Sequence, residues 1–523
     1  MASRARPLSV MHWTGAGFAA LVALCVLVPL GAVMARADWP PVLGPGDLAA
    51  IRFTLLQAAL SALFSVAMAI PVARALARRS FPGRTALVTL MGAPFLLPVI
   101  VAVLGLLAVF GRAGWLNDAL VGIGLGRIDI YGLQGVVLAH VFLNLPLAVR
   151  LILQGWQAIP AERIRLATAL GFSARDMRRH FERPLLRTVL PGAGLLIFLI
   201  CTTSFAVALI LGGGPRATTV ELAIYQAFRF DFDLGRAALL GLIQVAICVA
   251  AGALAFGAIR RQELGTGLDR PPLAWPGDGL RARWWDGAAI TAAALFLILP
   301  MLAVVLRGLP ALPSLPPQVW EAAVRSIVLA LASTTLAVAL ALPIALLAAR
   351  LARPGLVEML AFLTIAVSPL VIGTGLFILV RAVANPVALA LPVTGLINAL
   401  VALPFILRAL VPAAQQAEAT QGRLADALGI VGWPRLRHTI LPRLRRPLGF
   451  GAGLAAAFSM GDLGVIALFS MPGQGTLPLE MYRLMGAYRT DDAQGAAVLL
   501  MALTLGLFWA FDQVGGRFDA ATR

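Results

Sequence analysis

The sequence predicts an all-α integral membrane protein: about twelve transmembrane helices, arranged as two parallel six-helix repeats. Three observations carry that reading. Hydrophobic residues make up 60% of the chain and charged residues only 13%, about half the charged share of a soluble globular domain. The apolar residues gather into twelve runs of roughly the 20 residues that a helix needs to cross a hydrocarbon core. An arginine-rich block also occurs twice, so that Gly171 and Gly429, Pro184 and Pro442, His180 and His438, and Pro146 and Pro404 are each 258 residues apart.

The first run, near residues 14–34, follows Arg4 and Arg6 and precedes Ala35-Arg36-Ala37, a pattern that imitates a cleavable signal peptide. Its apolar stretch, Gly15 to Val33, exceeds the usual h-region of about 7 to 15 residues, so a retained span is expected. Five more runs lie near 54–76, 86–110, 132–153, 189–211 and 237–259, and six near 286–306, 325–348, 357–380, 387–410, 447–470 and 494–512. All are continuously apolar rather than alternating with period two, which argues against a barrel. Six spans separate corresponding elements, and an even number preserves orientation, so the halves are parallel repeats about an axis along the membrane normal.

Ahead of the copied block the offset is 272, as between Pro71 and Pro343 or Arg78 and Arg350, and the 14 extra residues of the first half fall in the Gly-rich loop Gly111 to Gly132. A Pro/Gly/Trp-rich linker, Gly265 to Trp285, parts the halves. The expected division is a tail and first span over 1–47, a first transmembrane domain over 48–260, linker and seventh span over 261–319, a second domain over 320–513, and a tail over 514–523.

The net charge of +18 comes entirely from arginine, since the chain has no lysine. Arginines cluster in alternate loops: Arg74, Arg78, Arg79 and Arg84; both copied blocks; Arg260, Arg261 and Arg270; Arg350 and Arg353. The intervening loops mix signs, as Arg112 does with Asp118 and Asp129. The positive-inside rule places both termini and both blocks in the cytoplasm. No basic face interleaved with aromatics is present, so no nucleic-acid partner is expected. Cys25, Cys201 and Cys248 sit inside spans, and His180 and His438 have no ligand set around them. Neither a disulfide framework nor a metal site follows.

The copied blocks are too polar for lipid, and the first reads as two short helices joined at Gly171. Ile164, Ala167, Leu170 and Gly171 share one side at helical spacing, with Gly171 suited to a left-handed C-cap. Ser173 and Asp176 have capping-box spacing, and Pro434 takes the corresponding first turn in the second copy. Small residues on one side of a short helix admit a close-packed partner, and paired arginine flanks engage carboxylates or lipid phosphates. One such loop alone reads as a solvated segment; two in matched spacing read as paired docking knobs for a two-fold partner.

This spacing resembles the Glu-Ala-Ala loop of bacterial ABC importer permeases: Gly171 and Gly429 match its glycine, Ala167 and Ala425 its second alanine, Pro184 and Pro442 its proline. The chain departs from it at Arg165 and Arg423 in the glutamate slots, Leu166 and Leu424 in the first alanine slots, and Phe181 and Thr439 in the isoleucine slots. The family's glutamate contacts therefore do not carry over. Tyr131-Gly-Leu-Gln-Gly135, His140-Val-Phe-Leu-Asn-Leu-Pro146, the string Leu211 to Gln226 and Gly461-Asp-Leu-Gly-Val-Ile-Ala-Leu-Phe469 are similar to one branch, the fused twelve-span permeases for thiamine and its phosphates. Fused ferric-iron permeases share the layout and stand as the alternative.

The resemblance implies a permease without an ATPase of its own, consistent with a chain that has no lysine for a P-loop. It implies two copies of a separate cytoplasmic ABC ATPase using ATP with Mg, docked through Arg165, Leu166, Ala167, Leu170, Gly171 and Pro184 and through Arg423, Leu424, Ala425, Leu428, Gly429 and Pro442. It also implies a periplasmic binding protein, the bacterial inner membrane as location, and no cofactor bound by this chain.

Asp462, Ser204 and Asn144 are the candidate pathway residues. Asp462 is an intramembrane carboxylate that serves either a cationic thiazolium or a helix end. Asn144 lies one turn from His140 and suits an interhelical hydrogen bond equally well. Gly212, Gly213, Gly214, Pro215, Glu221 and Tyr225 are expected in a shaped external loop meeting the binding protein. An ion-coupled secondary transporter would instead carry carboxylates or broken helices at mid-membrane in both halves, whereas Asp462 is matched only by Ser204.

Overall fold

A computed structural model describes residues 10–92, 96–214, 217–258, 279–351, 355–471 and 473–520. Among these residues there is no strand. Eleven helices are long and apolar enough to cross a membrane, and the broken pair Gly355–Ala366 and Pro369–Arg381, bent by 80°, makes a twelfth when counted as one span. All twelve apolar runs meet such an element, so the chain is an all-α, multi-pass membrane protein. The first span is the helix Val10–Arg36, and the seventh begins at Leu280, so the last residues of the expected linker, Arg281 to Trp285, are helical.

Continuity is where the structure departs from the runs. The third run divides into Arg84–Leu90 and Val99–Phe110, with Pro98 capping the second piece. The ninth breaks before Pro369, where the Ser368 hydroxyl accepts the Leu370 N–H at 3.2 Å. Proline lacks the N–H that a continuous helix requires, and its ring clashes with the preceding turn. The fifth and eleventh spans break without proline: Arg183–Thr202 is followed by Ala206–Leu211, and Leu441–Gly461 by Gly464–Phe469. Each break has its counterpart in the other half. Broken helices in both halves, the feature expected of a secondary transporter, are thus present here, although the carboxylate remains unmatched.

The leading span of each half lies on the opposite half. Gly375 in the ninth span meets Pro29 of the first so closely that a Cβ on the glycine would fall 2.3 Å from the proline carbonyl oxygen. Gly105 in the third span meets Pro300 of the seventh, where a Cβ would fall 2.6 Å from that carbonyl oxygen. Small residues permit such backbone approach between apolar helices, where dispersion and close packing replace the hydrophobic effect.

The extra residues of the first half form an ordered loop. Asn117 fixes it by donating to the carbonyls of Gly111 and Ile128 and accepting the Ile128 N–H, at 2.8 to 2.9 Å.

Candidate functional site

Both copied loops fold around the same glycine geometry. Gly171 has φ 68°, with the Phe172 N–H on the Ala167 carbonyl (3.0 Å) and the Gly171 N–H on the Thr168 carbonyl (3.1 Å). Gly429 has φ 66°, with Ile430 on Ala425 (2.9 Å) and Gly429 on Asp426 (3.2 Å). This is the paired closure of a left-handed C-cap, as the sequence predicts. Ser173 accepts the Asp176 N–H and Asp176 the Ser173 N–H, completing the capping box.

After each cap comes one wide π turn, Arg178–Glu182 and Leu436–Ile440, at the same 258-residue offset. Each turn lies two residues before Pro184 or Pro442 and relieves the clash of the ring with the carbonyl four residues back.

The copies differ in how they join the membrane body. Pro160 caps the separate helix Ala161–Ala169, whereas Glu418 occupies that slot in the second copy and the helix Ala390–Ala427 runs through without a break. Two short helices joined at glycine therefore describe only the first loop. Glu418 receives Arg350 (3.0 Å) and Arg435 (2.6 Å), and Arg435 also pairs with Asp426. In the first copy Arg74 pairs with Glu182 at 2.9 Å, and Arg79 ties the second span to Asp286 of the seventh at 2.7 Å.

The exposed face of each loop helix is not the small-residue face. Ala167 and Ala425, each 2% exposed, point into the protein with Ile164. Leu166 and Leu170 are 61% and 64% exposed, and Leu424 and Leu428 are 61% and 65% exposed. Arg165 and Pro184 are exposed and Pro442 half-buried, while the side chain of Arg423 lies outside the described residues.

The four breaks converge between the halves. Gly461 packs on Pro98, its position for a Cβ 3.2 Å from the proline Cα, and Gly464 packs on Phe205, beside Leu370. Asp462 caps the helix after its break, Oδ1 accepting the Val465 N–H at 3.4 Å, and Oδ2 has no hydrogen-bond partner. Ser204 stands at the matching break of the fifth span. Asn144 is removed from this centre: its amide donates to the His140 carbonyl (2.9 Å) and to Cys201 Sγ (3.4 Å), tying the fourth span to the fifth. Asn398 and Ser459, at the positions matching His140 and Cys201, make the same tie at 3.1 Å. Among the described residues no group of His, Cys, Asp and Glu is arranged to hold a metal, and the three cysteines are free.

No protein-family model matches the chain. It is 40% identical over 539 residues to the thiamine transport system permease protein of Escherichia coli, covering 99% of both chains. The Brucella abortus protein of that name is 40% identical, over 88% of this chain and 87% of its own, and the Haemophilus influenzae one 34% identical over the same shares. The chain belongs to the thiamine transport system permease family.

In this thiamine-permease family member the string Leu211 to Gln226 is only partly a loop. Gly213 and Gly214, at φ 70° and 126°, are exposed and Gly212 is buried, while Pro215 lies outside the described residues. From Val220 to Arg229 the chain is a buried helix, so Glu221 and Tyr225 do not face outward. Thr219 caps it, and Thr54 accepts the Val220 N–H at 2.9 Å. Thr54 stands nine residues into the helix that starts at Pro45, about 14 Å along it, so the helix begins well inside the protein. Leu477–Gly486 repeats the arrangement, with Ser326 accepting the Leu477 N–H at 2.8 Å. The signal was Thr218-Thr219 ahead of apolar residues at positions 220, 224 and 228, a capped amphipathic helix rather than a loop.

Proposed function

We propose that this chain is the transmembrane permease of an ATP-driven importer for thiamine and its phosphate esters in a bacterial inner membrane. Family membership across the full length supports the cargo, since the relatives at that coverage are named for thiamine transport. The paired Leu166/Leu170 and Leu424/Leu428 surfaces carry the ATP-driven part: two matched, exposed apolar patches beside arginines are what two copies of one cytoplasmic ATPase would dock upon. ATP with Mg is used by that partner, and this chain holds no cofactor. A periplasmic binding protein delivers cargo to the opposite face, and both termini are cytoplasmic by the arginine distribution.

ATPase closure would draw the two loops together, and the halves would rock about the centre where the four breaks meet, opening it to each side in turn. Family membership disfavours the ferric-iron alternative. The broken helices do not revive the secondary-transporter reading, because Asp462, the buried carboxyl at the centre, is matched by Ser204 in the other half.

Proteoliposomes holding the chain, its ATPase and its binding protein are expected to take up thiamine only while ATP is hydrolysed. Uptake driven by a proton gradient without the ATPase would overturn the importer reading. Gly171→Pro and Gly429→Pro are each expected to reduce ATPase co-purification with membrane insertion intact, and normal co-purification by the double variant refutes docking through the loops.

A further inference from the structure

Glu221 is a carboxyl sealed between the two halves with no ion-pair partner among the described residues. It lies in the first turn of Val220–Arg229, is 1% exposed, and neither of its oxygens has a hydrogen-bond partner. The polar group beside it is the Ser368 hydroxyl, which belongs to the break of the ninth span and thus to the opposite half. No arginine among the described residues forms an ion pair with it. Aromatic rings follow it along the same helix. Tyr225, one turn further along the helix, meets Phe205 of the fifth-span break edge to face at 5.1 Å. Phe228 meets Phe377 of the ninth span at 4.6 Å, and Phe377 meets Phe469 at 5.8 Å.

A buried carboxyl without partners is costly, and inside membrane proteins such groups mark a pathway or a bound cation. The chemistry of this one is selective. A quaternary ring nitrogen has no N–H to donate, so it is recognised by an opposite charge and by the faces of aromatic rings. The position also occurs once per molecule. Counted from the helix starts at Val220 and Leu477, the counterpart of Glu221 is Pro478, and the carboxyl of that second helix, Glu480, lies two residues further on and pairs with Arg483 at 3.4 Å.

We propose that Glu221, with Ser368 and the rings of Phe205 and Tyr225, forms a subsite for the cationic ring of the cargo, exposed when the halves part and closed when they meet. This rests on the thiamine reading, which supplies a thiazolium as cargo. Glutamine keeps the size of Glu221 and an oxygen to face Ser368, so the neutral isostere leaves the packing intact while removing the charge.

The test uses the complete transporter in proteoliposomes with saturating loaded binding protein. Glu221→Gln is expected to lower thiamine moved per ATP hydrolysed at least tenfold, with ATP hydrolysis within twofold of wild type and an unchanged melting temperature. Glu221→Asp keeps more transport than Glu221→Gln. Unchanged transport per ATP in Glu221→Gln overturns the proposal, and so does a parallel loss of transport, hydrolysis and melting temperature, which marks a packing role.

A second readout does not depend on thiamine uptake. An aryl-azide N-alkylthiazolium probe is expected to label the segment 220–229 or the region of Ser368, and excess N-methylthiazolium to protect it. Labelling confined to other segments overturns the subsite. Absence of thiamine uptake by the wild-type transporter sinks the functional reading separately, and the labelling result still decides the subsite.

Discussion

Four leucines set the terms at the residue scale. Leu166, Leu170, Leu424 and Leu428 remain largely exposed, while Ile164, Ala167 and Ala425 on the same helices turn inward. Burying such a side chain against a partner is worth about 1.5 to 3 kcal/mol, so Leu170→Asp and Leu428→Asp are each expected to weaken ATPase binding at least tenfold, read as a dissociation constant in detergent or nanodiscs. Ala167→Leu is expected to act differently, lowering the melting temperature because that position is packed. The sequence made this helix legible down to its cap, since glycine and the Ser-x-x-Asp spacing act locally. It did not reveal which face is outward, because periodicity groups residues on a side without saying what that side meets. The inward turn of Ala167 and Ala425 is decided by tertiary packing. Glu221 is obscured in a related way: three glycines and a proline ahead of it read as loop, and the Thr218-Thr219 cap that restarts a helix is a weak signal beside them.

At the element scale, the loops are held by ion pairs that differ between copies. The buried Arg435 bridges Glu418 and Asp426, and Glu418 also holds Arg350 of the eighth span. Removing one partner from a buried pair costs about 3 to 5 kcal/mol through the charge left behind. Glu418→Leu is therefore expected to lower the melting temperature and to expose the second loop to limited proteolysis, with the first loop unaffected. An equal change in both loops contradicts this wiring. The glycine caps carry a smaller term: Gly171→Ala or Gly429→Ala forces a side chain into the left-handed region at about 1 to 2 kcal/mol. The twelve spans were legible because hydrocarbon thickness dictates their length and composition. Their breaks were less so. Pro98 and Pro369 are visible signals, but the interruptions at Thr203 to Phe205 and at Asp462 lie in apolar sequence where hydropathy is blind to backbone direction.

For the whole molecule, the exchange of leading spans makes each half incomplete without the other. Gly105→Leu and Gly375→Leu are expected to unseat the seventh and first spans respectively, since the added side chain must enter space held by a backbone carbonyl. Loss of assembly is measured by co-purification of separately tagged halves expressed as 1–264 and 265–523. Halves with native glycines are expected to associate, and the leucine variants to fail. The parallel repeat was readable from the 258-residue offset, whereas the exchange was not, because copied spacing says which elements correspond and not which neighbours they choose.

The unequal joints of the two copied loops bear on how force enters the molecule. The second loop is the end of one helix of 38 residues, which carries Pro404 and Pro412 and runs about 57 Å, so continuous helix joins Leu424 to Ala390. The first loop reaches its span through the break at Ala158 to Pro160, where the helix is interrupted between Gln157 and Ala161. Two identical motors gripping these handles would not deliver equal strokes. One would steer, and the other would follow.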